Sequence, residues 1–241
     1  MVVHQGRVES TQSLARGRPA WSAVVAGEQT AGRGQATRTF ASDPGGLYLT
    51  AVLPYSGDAL ESRGFALAVG WALREALQRM GVKDLRLRWP NDLMVGQRKV
   101  GGILVEQGGP DTLLVGVGLN VTNHPWIADP ALRSIAGRLA DAVVDRRLPE
   151  IEEMVKEVLQ AVRTAHETFA RDRLAGFAVR LTDCWGPAHE VVLEPAGGVP
   201  PASVQGWFRG IDPDGRVLVQ PIAGEVMAIP AHQIGRLREV T

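Results

Sequence analysis

Lysine is scarce in this chain: Lys83, Lys99 and Lys156 are all it has, and its 26 basic residues are balanced by 26 acidic ones. With charges cancelled, no global field draws the chain to nucleic acid or to an anionic membrane surface. A single cysteine, Cys184, excludes an internal disulfide and fits a reducing compartment. No apolar run is long enough to span a bilayer, and Met1 to Arg7 has no signal-peptide apolar core. The expectation is a soluble cytoplasmic protein. The five histidines (His4, His124, His166, His189, His232) are scattered without metal-ligand spacing. Ser13, Ser22, Ser42 and Ser56 lie in no nucleophile elbow. Trp89, Trp126, Trp185 and Trp207 have no basic stripe between them, so they read as core or wall residues, not a base-stacking platform.

What remains is enough for one large domain and a small one, with 45% hydrophobic residues to fill a core. Phe65, Val69, Leu73, Leu77 and Met80 recur at helical spacing within 58–80, and Gly81 suits the position after a helix end. Ile151, Met154, Val155, Val158, Leu159 and Val162 mark the longest helix, entered through Pro149. A shorter helix is expected over 131–143. Strands are expected over 24–28, 47–53, 85–89, 93–95, 100–106 and 113–119, with a turn at Gly108-Gly109-Pro110-Asp111. After Gly176 the composition shifts to short strands (190–193, 204–208, 217–219) punctuated by turns, which suggests a small β-barrel. The boundary is placed near Arg180, giving domains 1–180 and 181–241.

The most informative stretch is Arg88-Trp89-Pro90-Asn91-Asp92, followed by Lys99-Val100-Gly101-Gly102-Ile103-Leu104-Val105-Glu106. Pro90 forces a turn between apolar strand segments, which puts Asn91 and Asp92 at a sheet end. Lys99 opens the next strand, and Gly101-Gly102 strips two side chains beside it. Cation, carboxylate, amide and bare backbone together suit nucleotide phosphate and a metal. The glycine-rich segment 29–46 is long for an irregular connection, and it ends in no P-loop signature. Gly116-Val117-Gly118 lacks the third glycine of a dinucleotide fingerprint and reads as a tightly packed strand. Ser10-Thr11-Gln12 reads as a helix N-cap, whose spare N–H groups and hydroxyls can also meet a ligand.

The Trp-Pro-Asn-Asp to Gly-Gly-Ile-Leu-Val-Glu run resembles the signature of biotin protein ligases. Ser10-Thr11-Gln12, Glu28 to Gly34, Gly116 to Val121 and Arg209 to Gly215 match further segments of that family in the same order. The resemblance implies an α/β (α+β) fold: a mixed sheet with helices packed on one face, then a small SH3-like barrel. It implies activation of biotin by ATP as biotinyl-5′-AMP and transfer to a lysine of a biotin carboxyl carrier protein domain. By resemblance, catalytic roles fall to Lys99, Asp92 and Arg33. Biotin contacts fall to Ser10, Thr11, Gln12, Gln29, Gly32, Arg33, Gly34, Gln35, Lys99, Gly102, Gly116 and Gly118. ATP contacts fall to Arg33, Arg38, Phe40, Asn91, Asp92, Lys99 and Asn120, with Mg²⁺ at Asn91 and Asp92.

Three positions depart from the family pattern: Gln12 for Asn, Arg88 for Lys, and Gln35-Ala36-Thr37 where basic residues and a glycine are usual. The last departure bears on how firmly adenylate is held. A lipoate-protein ligase is the alternative enzyme. A biotin-responsive regulator is the alternative from another class, but Ser10-Thr11 stands so near the start that no helix-turn-helix unit is expected ahead of it. A monomer and a homodimer both remain open.

Overall fold

The computed structural model describes residues 1–35, 38–56, 64–127, 129–144, 147–196 and 203–240. It divides into two compact units, Met1–Glu167 and Thr168–Thr241.

The first unit is built on a seven-stranded sheet. Its strands are β1 (Val2–Val8), β2 (Ser22–Gln29), β3 (Leu47–Pro54), β4 (Leu85–Arg88), β5 (Asp92–Val95), β6 (Arg98–Gly109) and β7 (Thr112–Leu119). They lie in the order β1-β2-β3-β7-β6-β5-β4. Only β1 and β2 run parallel; every other neighbouring pair is antiparallel. β3 is buried along nearly its whole length, as its apolar run demands. β1 was not expected: His4-Gln5-Gly6-Arg7 is polar, and an exposed edge strand needs no apolar pattern.

Strand alternation assigns each residue to a face. Ile103 and Leu87 meet α2 (Phe65–Arg79), whose Gly70 allows the close approach: a Cβ there would lie 3.0 Å from Leu87 and 3.3 Å from Ile103. α2 follows the expected apolar spacing, and Gly81 just beyond it takes a positive φ of 101°. The part of the expected helix at 58–63 lies outside the described residues. The opposite face carries the short α1 (Thr11–Ala15), with Ala15 buried against Val24, Val52 and Leu114. The long helix appears as α3 (Ile151–Asp172).

The helix expected over 131–143 is instead two 3-10 turns, Pro130–Ser134 and Leu139–Ala142. Backbone groups between them are spent on neighbours. Gly137 N donates to Lys99 O (2.8 Å), Lys99 N to Ile135 O (2.8 Å), and Leu139 N to Asn120 O (2.8 Å). A continuous helix would have to give these bonds up.

The second unit contains α4 (Ala178–Thr182) and an antiparallel five-stranded sheet of β8 (Glu190–Pro195), β9 (Val204–Ile211), β10 (Val217–Pro221), β11 (Met227–Ile229) and β12 (Ile234–Glu239). The order is β11-β10-β9-β8-β12. Val191, Leu193, Phe208, Val217 and Val219 form its core. Asp212 makes the expected turn by accepting from Asp214 N (3.0 Å) and Arg216 N (2.8 Å). The two-part architecture agrees with the fold class read from the sequence.

Candidate active site

Sheet register builds the site row by row. Arg88, Asp92, Gly102, Gly118 and Tyr48 are successive cross-strand partners on the face away from α2. Two residues along, about 7 Å, the next row is Leu104, Gly116 and Thr50. The glycines leave a trough where side chains would stand. A Cβ on Gly118 would come within 2.7 Å of the Phe40 ring, and one on Gly116 within 2.7 Å of Gln12 Oε1.

Polar side chains from separate elements close the Gly116 end. Ser10 caps α1 by accepting from Gln12 N (3.2 Å), as expected. Gln29 Oε1 accepts from Thr11 N (2.8 Å) and Thr11 Oγ1 (3.1 Å), while its Nε2 donates to Ser42 Oγ (2.8 Å). Thr50 Oγ1 lies 2.9 Å from Thr11 Oγ1 and 3.0 Å from Gln12 Oε1. Gln12 Nε2 is buried and has no hydrogen-bond partner among the described residues. A buried amide donor facing a cleft calls for a ligand acceptor.

At the other end Asp92 holds two cations, Lys99 Nζ at 2.6 Å on one oxygen and Arg88 at 2.6 Å on the other. Burial pushes the Asp92 carboxyl pKa up, but Lys99 and Arg88 outweigh it and hold the group below the usual carboxylate range. Lys99 Nζ also lies 5.7 Å from the centre of the Phe40 ring. Asn91 Nδ2 donates to Ile103 O (2.6 Å), so its amide braces the strand beside the turn.

The glycine-rich loop folds over this cleft as a hairpin. Gln29 pairs with Ser42 and Arg33 with Thr39; Phe40 N donates to Gly32 O (2.8 Å) and Gly34 N to Arg38 O (2.7 Å). Its base is laced to the chain start: Thr30 N donates to Val8 O (2.9 Å) and Ala31 N to Glu9 O (2.8 Å).

Residues 7–120 match the biotin/lipoate A/B protein ligase family. The matched segment covers 114 of the chain's 241 residues. The biotin–[acetyl-CoA-carboxylase] ligase of Paracoccus denitrificans is 28% identical over 244 residues, covering 95% of this chain and 97% of that protein. The bifunctional ligase/repressor BirA of Escherichia coli is 28% identical over 213 residues, covering 82% of this chain and 61% of that protein. The chain thus spans about three fifths of that relative's length. The solved biotin protein ligase of Aquifex aeolicus in complex with biotin and ATP superposes with a TM-score of 0.83 at 25% identity, covering 99% of both chains.

Of the positions singled out from this family's pattern, the cleft brings together Ser10, Thr11, Gln12, Gln29, Arg33, Gly34, Gln35, Arg38, Phe40, Asn91, Asp92, Lys99, Gly102, Gly116 and Gly118. Gly32 and Asn120 do not line it. Gly32 is a packing position, where a Cβ would meet Phe40 O and Ser42 Oγ. Asn120 is buried, its Nδ2 on Gly137 O (3.1 Å) and its Oδ1 on Asn123 (3.3 Å). Thr50 lines the cleft and was missed; its sign in the sequence is one hydroxyl in the middle of an apolar strand.

A divalent cation of the Mg²⁺ type needs a ring of oxygen donors. Both Asp92 oxygens are engaged by cations, and no cluster of three His, Cys, Asp or Glu side chains gathers among the described residues. Asn91 and Asp92 as arranged do not fit a protein-held Mg²⁺, and no step below is routed through one.

Proposed function

We propose that the protein is a biotin protein ligase, which activates biotin with ATP and passes it to a lysine of a biotin carboxyl carrier protein domain of a carboxylase. The observation that carries the reading is the unpartnered Gln12 donor, whose amide stands against Gly116, with the Lys99 ammonium against Gly102 in the neighbouring row, the rows being about 7 Å apart along the strands. That spacing suits a small acid with a hydrogen-bonding ring at one end and a carboxylate at the other. A ureido ring supplies the acceptor that Gln12 Nε2 needs. The dithiolane of lipoate does not, and leaving a buried donor unmet costs ~1–3 kcal/mol, roughly 5–150-fold in affinity. The lipoate-ligase alternative is therefore disfavoured. The family match and the similarity to the ligases named above support the same reading.

In the first step an oxygen of the biotin carboxylate attacks the α-phosphorus of ATP, and the bond to pyrophosphate breaks. Two anions must approach, and Lys99, beside the open backbone of Gly102, lowers their repulsion. Asp92 holds Lys99 in place before ligand arrives and, with its pKa lowered, is a poor proton acceptor. In the second step a neutral acceptor-lysine amine attacks the mixed-anhydride carbonyl, AMP leaves, and the nitrogen gives its proton to solvent. The hairpin over the cleft shields the anhydride from water meanwhile. The Met1–Glu167 unit holds every residue invoked here.

The test is pyrophosphate release from ATP with biotin or lipoate as the acid, followed by transfer to a carrier domain. Biotin-dependent release is the expected result. Release driven by lipoate alone overturns the reading.

A further inference from the structure

Glu106 belongs to none of the substrate contacts assigned above, yet two guanidinium groups from different segments converge on it. It stands on β6 on the same face as Gly102 and Leu104. One oxygen lies 2.8 Å from Arg33 in the hairpin, and the other 3.6 Å from Arg16, the residue that ends α1. Arg16 also donates to Gln107 O at 3.0 Å. The second Glu106 oxygen is buried and makes no hydrogen bond among the described residues, so its contact is the longer-range one to Arg16.

The hairpin needs such an anchor. Beyond Ala31 and as far as Phe40, its backbone bonds among the described residues run only within the hairpin, so they shape it without fixing it to the sheet. Phe40 rests on Gly118 and Gly102 on one arm. On the other arm the Arg33–Glu106 pair makes the contact with β6. Arg33 is itself a wall residue of the cleft, so whatever holds it sets how closely the wall stands over the ligand.

We propose that Glu106 is a positioning residue that latches the hairpin shut: it holds Arg33 against β6, bound ligand leaves only when this pair opens, and Arg16 keeps the carboxylate aligned. The proposal rests on the ligase reading for the identity of the ligand. The latch itself is a statement about the loop and is testable without ligand.

The variants are Glu106→Gln, Arg33→Met, their combination, and Arg16→Met. Two measurements separate the latch from the function: the release rate of biotin, and trypsin cleavage after Arg38 in the ligand-free protein. A partly exposed charged pair predicts release roughly 3–10-fold faster in Glu106→Gln or Arg33→Met. The double variant should be no faster than either single one, because both remove the same contact. Cleavage after Arg38 should rise in parallel, and Glu106→Gln should raise KM for biotin with kcat and thermal midpoint nearly unchanged. Arg16→Met should change release by at most about 2-fold, because its ion pair is long and half exposed. If biotin binds and neither release nor cleavage responds, or if the two single effects add, the latch is refuted. If the parent binds no biotin but cleavage follows the predicted order, the latch stands and the ligase reading falls.

Discussion

Replacing Asp92 by Asn removes one negative charge from between two positive ones, and the structure allows the cost to be worked out. Lys99 and Arg88 each lie 2.6 Å from the carboxylate, on opposite oxygens. Their charged heads therefore stand roughly 5 Å apart, and at an effective dielectric near 20 their repulsion is ~3 kcal/mol. Both side chains are 32% exposed, so solvent screening reduces this to about 1–2 kcal/mol. Asp92→Asn should lose that much unfolding free energy in urea at neutral pH, and its pyrophosphate release should fall at least tenfold as Lys99 loses its alignment. The carboxyl pKa is lowered in the folded protein, so the charge contributes stability that is present above about pH 4 and is lost as pH falls through the folded value. The parent and variant stability curves should thus converge in acid, separate as pH rises towards about 4, and stay a constant distance apart above it. A constant difference from pH 2 to 7, or none at pH 7, refutes the two-cation account.

Lys99→Ala should lower adenylation by roughly 10²–10³, the effect of removing a preorganised cation worth ~3–4 kcal/mol, with the fold retained by circular dichroism. Turnover within a few-fold of the parent removes Lys99 from the mechanism. Gly118→Ala puts a methyl 2.7 Å from the Phe40 ring and should weaken biotin binding at least tenfold by calorimetry; unchanged affinity shows that the ring yields. Gln35 lines the cleft where the family pattern carries a basic residue. Gln35→Arg should slow release of biotinyl-adenylate roughly 3–10-fold, and an unchanged rate with faster release from Arg38→Ala transfers the phosphate contact to Arg38.

Much of the site was legible because its residues are close in sequence. Asn91, Asp92, Lys99 and Gly102 span one hairpin, although a register shift between Leu93 and Met94, not regular alternation, sets Asp92 opposite Gly102. The Ser10 cap was legible for the same reason. What failed was set by distant partners. Thr50 acquires its role only because β3 lies beside β7 and under α1. The 131–143 segment has helical apolar spacing, but its backbone bonds go to Lys99 and Asn120, more than ten residues upstream. β12 is an edge strand of the second sheet, and its Arg236, Arg238 and Glu239 hide it from any apolar pattern. Glu106 was visible as a motif letter, but its two arginines come from positions 16 and 33, a pairing that no spacing rule supplies.

The two bonds from Thr30 and Ala31 to Val8 and Glu9 make the first strand and the cleft's cover mechanically one piece. Tension applied ahead of β1, by a surface tether or a bulky fusion, is carried through Val8 and Glu9 to the hairpin's base and to the Ser10 cap together. Immobilising the protein through its first residues would therefore bias the cover toward opening. Anchored at that end on a biosensor chip, the protein should release ligand faster than the same protein free in solution.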